Sequence, residues 1–159
     1  MYKQSTDAAQ LKHAFWEKLT HSPIVMLELD ADPESAAPMT AQLDKHADHA
    51  IWFFTTRDGR FAPGGTATAK FSAKGHDLFA RFSGTLTEET DRAVFDKHWS
   101  KPVEAWYPAG KTSPNILFLR MDLGSASIWL SELGVTGTIK MLLGMDVRDE
   151  GGRQIETAL

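Results

Sequence analysis

The stretch with the clearest chemical potential is HAIWFFTTRDGR, at residues 49–60. Its four consecutive large apolar residues, 51–54, predict a buried strand. Polar groups collect where that strand ends: Thr55, Thr56, Arg57, Gly59 and Arg60. Arginine binds phosphate in a bidentate geometry that lysine cannot match, and consecutive backbone N–H groups in a turn form an anion-binding concavity. The spacing alone is equally consistent with two interpretations: a strand end that binds phosphate, and a strand that ends in a solvated turn.

Other combinations of reactive residue types give weaker signals. The densest set of metal-ligand types is Asp44, His46, Asp48 and His49. The two histidines are three residues apart and meet only on a helix, so we expect this segment to be a solvated turn between strands. The sequence has no HExxH motif, no G-x-S-x-G elbow and no phosphate-binding loop. No metal site or catalytic nucleophile is therefore predicted.

Composition limits the classes of partner. The 159 residues include 17 Lys and Arg against 21 Asp and Glu, a formal net charge of −4. This balance argues against general nucleic-acid binding but allows one small anion at a local basic site. The absence of cysteine excludes disulfides and thiolate metal sites, and it fits a reducing compartment. With no signal peptide and no membrane span in the sequence, we expect a soluble cytoplasmic protein.

Patterning predicts one domain, residues 1–159, made mainly of β-strands. Strands are predicted at residues 24–29, 37–43, 50–56, 66–73, 78–86, 115–122 and 125–130. Helices are predicted at residues 6–20, from Thr87 onward, and at 134–145, and the polar end, 146–159, is predicted to be loose. Six or seven strands joined by short turns favour an antiparallel meander or barrel over alternating βαβ units.

Several segments in this order resemble the pyridoxamine 5′-phosphate oxidase-like flavoproteins, most closely the general stress protein 26 branch. They are APMTAQL, IWFFTTRDGR, the W-x(6)-W-[FY]-P-x-G-K stretch from Trp99 to Lys111, and the Ile-Trp pair ending at Trp129. The resemblance extends from about Leu11 to Gly144. It implies an FMN-binding split β-barrel with flanking helices. It also implies a homodimer that holds FMN at the subunit interface.

The same resemblance implies a set of cofactor-binding residues. The backbone of Pro38, Met39 and Thr40 would run along the flavin ring, although Ala37 stands where the family has an arginine. The ring and ribityl chain would be covered by Phe54, Thr55 and Thr56. The phosphate would lie at Arg57, Gly59 and Arg60, although the oxidases have Ser-Arg-Lys where this chain has Gly59-Arg60-Phe61. Further contacts, some from the partner subunit, would come from Lys70, Lys111 and Trp129.

The function implied is that of an FMN-dependent oxidoreductase acting on a small-molecule substrate or electron donor. The flavin carries the redox chemistry, so no catalytic residue is assigned. The chain lacks the C-terminal arginine motif with which the oxidases bind substrate phosphate, so pyridoxamine phosphate oxidation is not expected. The alternatives are a non-catalytic stress-response protein that holds a flavin, a deazaflavin or haem, and a barrel used only for dimerisation. Trp99 and Trp106 are assigned to packing rather than to stacking on the flavin.

Overall fold

The structure, a computed structural model, describes residues 3–4, 7–131, 142–144 and 152–159. Eight strands and three helices lie in these ranges. The strands are β1 (Lys3–Gln4), β2 (Ile24–Leu29), β3 (Asp32–Thr40), β4 (Ala50–Thr56), β5 (Gly65–Ser72), β6 (Leu78–Glu88), β7 (Ile116–Leu130) and β8 (Arg153–Ala158). The helices are α1 (Ala8–His21), α2 (Arg92–His98) and α3 (Lys101–Trp106).

The strands form one sheet in the order β1-β8-β7-β6-β5-β2-β3. All pairings are antiparallel except that of β1 with β8. Strand β4 lies off this path and pairs with the first half of the long strand β7, whereas β8 pairs with the second half. An isolated bridge between Gln42 and Trp52 then connects the chain after β3 to β4. This closure confirms the mainly β split barrel that was predicted.

Helix α1 packs against the barrel interior. The Asp7 side chain caps it by accepting a hydrogen bond from the backbone N–H of Gln10 at 3.0 Å. Leu11, Phe15 and Leu19 follow one another at four-residue spacing, and none of the three is exposed. They belong to the first core cluster together with the inward residues of the strands. The predicted amphipathic helix is therefore confirmed, starting two residues later than expected.

Strand β4 contributes to two cores because successive side chains point to opposite faces of a sheet. Ile51 and Phe53 enter the first core, inside the barrel. Trp52 and Phe54 enter a second cluster on the outer side of β4 and β7. Helices α2 and α3 cover this second cluster, the remaining members of which are Ala50, Phe95, Val103, Ile116 and Phe118. Burial on both faces explains why the IWFF run does not alternate with polar residues.

Three predicted boundaries were wrong. Strand β3 begins at Asp32, inside the expected link, because the Ser35 hydroxyl accepts from Leu29 N–H at 2.7 Å and supports a tight β2–β3 turn. Strand β7 runs unbroken through Gly124, where two strands were expected, because β6 pairs along almost its whole length. Helix α2 begins at Arg92 with Asp91 as its cap, since β6 continues to Glu88.

The predicted loose end was also wrong for Arg153–Ala158, which forms β8 on the edge of β7. Ile155 lies opposite Ile128 and is almost completely buried, so the last residues complete the first core. Helix α3 was not predicted. The helix expected at 134–145 lies mostly outside the described residues. None of the described helices has the length and hydropathy needed to cross a membrane.

Candidate functional site

Strand β3 and the C-terminal part of β4 are joined at a single bridge and are not paired beyond it in the described part of the chain; we call the region between these two strands the wedge. The two strands meet only at the Gln42–Trp52 bridge, where both N–H···O bonds form, at 2.7 and 3.0 Å. Among the described residues, β3 otherwise pairs with β2 alone and β4 with β7 alone. The edge of β3 at Pro38, Met39 and Thr40 therefore has no ladder partner on its β4 side in the described part of the chain. The backbone carbonyl and N–H groups of this edge that point away from β2 remain available to a ligand, and Pro38 itself has no N–H.

A tight turn follows β4 at the wide end of the wedge. Gly59 N–H donates to Thr56 O at 3.0 Å, and Ala62 N–H donates to Gly59 O at 3.2 Å. A Cβ atom on Gly59 would lie 3.0 Å from Thr56 Oγ1 and 3.4 Å from Thr55 Oγ1. Glycine thus lets the turn close against both threonine hydroxyls. The predicted loop and its Thr–Thr–Gly cluster are brought together in one place.

The Arg60 side chain reaches from the turn after β4 to the backbone of β3. Its Nη1 donates to the carbonyl oxygens of Ser35 at 3.5 Å and Ala36 at 3.4 Å, both on β3. These long bonds use one nitrogen of a group that carries five N–H donors. Within the described residues no carboxylate forms an ion pair with Arg60. An exposed guanidinium with spare donors therefore lies where β3 and the turn after β4 approach each other.

Arg57 is held differently from Arg60. Its Nη2 lies 2.6 Å from Glu88 Oε1, and its Nε donates to Pro114 O at 3.0 Å. The hydrogen bond from Arg57 lowers the pKa of Glu88 and raises that of Arg57. The neighbouring Asp58 accepts from the side chains of Thr56 and Asn115, which lower its pKa. Arg57 would have to leave Glu88 to bind another anion.

The predicted ring-contacting residues differ in what they present to the gap. Pro38 and Thr40 are exposed, whereas Met39 packs partly against the first core. The Phe54 ring lies in the second cluster, stacked on Phe118 with ring centroids 4.4 Å apart. Phe54 can therefore offer only its backbone to the wedge in this conformation. Thr55 and Thr56, which follow it, are half-buried.

Lys70 and Trp129 lie on the outer face of the sheet. Met26 on β2 is the direct neighbour of both Pro38 on β3 and Lys70 on β5. One strand, β2, therefore separates Lys70 from the edge of β3. Its Nζ is 3.5 Å from Glu28 Oε1. Trp129 lies farther along the same face, opposite Phe79 on β6.

The outer face carries apolar residues that the sequence reading missed. Ile24, Met26 and Phe79 are 56%, 45% and 38% exposed. A solvent-facing side of an antiparallel strand normally carries polar residues. The sequence IVMLEL at 24–29 does indicate such a face, because both its inward and its outward positions are mostly apolar. Such a face is characteristic of a surface that another molecule covers.

Lys111 is not brought to the wedge. It lines a cleft of about 280 Å³ between α2 and the segment before β7, together with Arg57 and Glu88. Its Nζ lies 3.6 Å from Asp96 Oδ1.

The remaining predictions have mixed outcomes. Trp99 packs as expected, with its ring 5.5 Å from Phe95 and 5.6 Å from Phe54. Trp106 is 83% exposed and therefore does not make the packing contacts that were expected of it within this subunit. The segment with the metal-ligand types is a turn in which Asp44 pairs with Lys97. In the described ranges no group of three or more metal-binding side chains converges.

Comparison with known proteins agrees with this architecture. The family described as pyridoxamine 5′-phosphate oxidase-like matches residues 10–150. No curated protein is significantly similar to the chain. A crystal structure of the general stress FMN/FAD binding protein from Xanthomonas citri is 43% identical over 80% of this chain and 94% of its own, with a TM-score of 0.74.

Two further structures extend the comparison. A protein from Jannaschia sp. CCS1, named as a candidate general stress protein 26, is 28% identical over 95% of this chain and 99% of its own, with a TM-score of 0.78. A Clostridium acetobutylicum protein related to general stress protein 26 is 17% identical over 76% and 89%, with a TM-score of 0.64, which shows the shared fold. With a family match over most of its length, this chain belongs to the pyridoxamine 5′-phosphate oxidase-like family.

Proposed function

We propose that this protein binds FMN in the wedge between β3 and β4 and acts as an FMN-dependent oxidoreductase. The observation that carries the proposal is the position of Arg60, a cation without a carboxylate partner in the described part of the chain, at the open end of a gap between two unpaired strand edges. A dianionic phosphate needs such a cation, and a flavin ring edge needs fixed backbone donors and acceptors. The Xanthomonas citri relative, named as FMN/FAD binding, supports this choice of ligand.

The residues present fit the parts of FMN in order along the wedge. The backbone of Met39 and Thr40 would hold the polar edge of the ring system. Thr55 and Thr56 would face the ribityl chain, and the turn at Gly59 would bring the Arg60 side chain to the phosphate. Ala37 leaves Arg60 as the main cation at this end, because Arg57 is held by Glu88.

The second part of the proposal is a homodimer through the outer face of the sheet. Three large apolar side chains are exposed on this face, which makes it the natural surface for a second copy. A two-fold dimer through this face would bring Lys70 and Trp129 of one subunit close to the wedge of the other. A contact from Lys111 would likewise come from the partner subunit.

Bound FMN would supply hydride and electron transfer, and the protein would supply position and electrostatics. The chain's own part is to hold the phosphate, to orient the ring against β3 and to exclude water with the partner's sheet face. No side chain is assigned a catalytic role. Cytoplasmic location, inferred from the cysteine-free sequence, is part of the same proposal.

A second candidate function is flavin storage or sensing without turnover. The absence of the family arginine at Ala37 favours it, since fewer contacts would tune the bound flavin. The visible absorbance spectrum of the purified protein tests both candidates. Flavin bands that bleach with NAD(P)H and return with an electron acceptor support the oxidoreductase. A bound flavin that stays oxidised supports the second candidate, and a protein that takes up no FMN rejects both.

A further inference from the structure

His98 is a buried titratable group that the flavin site does not use. It is the last residue of α2 and is only 7% exposed. Its ring stacks on Trp52, with ring centroids 4.9 Å apart and planes at 29°, and lies 5.9 Å from the centroid of Phe118. Its Nε2 is buried and makes no hydrogen bond to any described residue. An imidazole nitrogen in an aromatic cluster without a partner carries a desolvation cost.

The desolvation cost at His98 affects how both α2 and α3 pack against β4 and β7. Helix α2 is seven residues long, and its two buried side chains are Phe95 and His98. Helix α3 contributes Val103 as its buried residue. His98 is therefore one of the few buried side chains that pack α2 and α3 against β4 and β7, and a histidine gains charge in mildly acidic solution.

The charges around His98 act in opposite directions. Lys97 on α2 disfavours the charged imidazolium, whereas Asp44 before β4 and Glu89 after β6 favour it. Desolvation is the largest effect, and the pKa of His98 is lowered. Three of these groups have other partners: Lys97 pairs with Asp44, and Glu89 accepts from Trp52 Nε1 at 3.1 Å.

Three other titratable groups border the cluster. The Arg120 guanidinium on β7 lies 5.6 Å from the Trp52 ring, and its Nη2 is 3.4 Å from His49 Nε2. Tyr107, after α3, packs against the same cluster, and burial raises its pKa. None of these side chains forms a hydrogen bond with His98 Nε2.

We propose that His98 is an acid-sensitive latch, the protonation of which releases α2 and α3 from β4 and β7. The sign follows from the two states. The closed state favours the neutral ring and the open state gives the ring its ordinary affinity for protons. The closed state is fully favoured above about pH 6.5, the ordinary pKa of histidine, and loses stability as pH falls below it. Opening exposes Trp52 and Phe54, and Phe54 immediately precedes the threonines at the wedge.

Near-ultraviolet circular dichroism and tryptophan fluorescence of the full chain, recorded from about pH 8 to about pH 5, test the latch. Far-ultraviolet circular dichroism follows the barrel in parallel. The wild type should lose aromatic signal below about pH 6.5 while the strand signal remains. His98→Phe should keep the aromatic signal throughout, and the control His13→Gln, at an exposed position on α1, should behave as the wild type. An unchanged wild-type signal, or the same transition in His98→Phe, overturns the proposal.

A nuclear magnetic resonance titration of the wild type gives a result that does not depend on the variant folding. The His98 ring protons and the Trp52 indole N–H, which binds Glu89, should shift with one common midpoint below about pH 6.5. A His98 titration that leaves the Trp52 indole signal unmoved overturns the latch. None of these measurements requires flavin, so their outcome does not depend on whether the proposed cofactor binds.

Discussion

Arg60 and Ala36 connect two segments that are more than twenty residues apart in the chain: Arg60 Nη1 lies 3.4 Å from the carbonyl oxygen of Ala36. The contact joins the turn after β4 to the edge of β3 at the wide end of the wedge. The contact uses one guanidinium nitrogen, so most of the N–H donors of Arg60 remain free. A carbonyl oxygen carries no net charge and therefore does not neutralise the arginine. In the proposed function, the free donors of this guanidinium would bind the phosphate of FMN.

The two arginines of the turn should contribute unequally to FMN binding. Arg57→Ala should leave the dissociation constant for FMN close to the wild-type value, because Glu88 and Pro114 already hold its side chain. Flavin fluorescence quenching on titration measures this. A loss as large as that of Arg60→Ala would show that Arg57 leaves Glu88 when the phosphate binds. Glu88→Gln is the companion variant, since it frees Arg57 and should not weaken FMN binding.

The outer face of the sheet should carry the dimer contact. Ile24→Glu places a charge among the exposed apolar residues, opposite the uncharged Thr40, and should convert the dimer to a monomer, because an unpaired charge is costly to bury. Sedimentation velocity at several concentrations measures the change. Ala105→Glu adds the same charge at an exposed position on α3 and should leave the dimer intact. A wild type that sediments as a monomer contradicts the interface itself.

The two tryptophans of the shared motif should differ in their effect on stability. Trp99→Ala should lower the free energy of unfolding by about 3 kcal/mol, because its ring packs against three other aromatic rings. Trp106→Ala should change it by less than about 0.5 kcal/mol, because the side chain is exposed. Urea denaturation of the two variants gives both values. Equal losses would place Trp106 in a packed environment that this structure does not have.

Gly84 permits a close approach between β6 and β7. A Cβ atom there would lie 2.5 Å from Asp122 O and 2.8 Å from Met121 Cγ, next to the register shift after Phe82. Gly84→Ala should therefore destabilise the protein by about 1–3 kcal/mol through overpacking. Thermal or urea unfolding measures the loss. Gly75→Ala is the matched control, since its Cβ would make only an ordinary contact, 3.4 Å from Asp77 Oδ1.

The elements that the sequence predicted well are those defined by local pattern. The Leu11, Phe15 and Leu19 spacing specifies one helical face, and the IWFF run specifies a strand buried on both sides. The family resemblance supplied the barrel, because several separated segments had to match in order. Both kinds of information are contained in short stretches of chain.

The elements that were missed depend on partners distant in sequence. Strand β8 is short and polar, and it is ordered by the free edge of β7 and by one buried contact, Ile155 on Ile128. The pairing of Arg57 with Glu88 needs the end of β6 beside the end of β4, which no local pattern shows. Likewise, the pairing of Phe79 with Trp129 follows from register, because a shift of one residue would turn Phe79 inward.

The binding of FMN and of riboflavin to the wild type and to Arg60→Ala tests the central claim most directly. The two ligands share the ring and the ribityl chain and differ in the phosphate. The wild type should bind FMN more tightly than riboflavin, and Arg60→Ala should lose about 1.5–3 kcal/mol of FMN affinity with little change for riboflavin. Equal binding of the two ligands by the wild type, or an FMN affinity unchanged in Arg60→Ala, would contradict phosphate binding by Arg60.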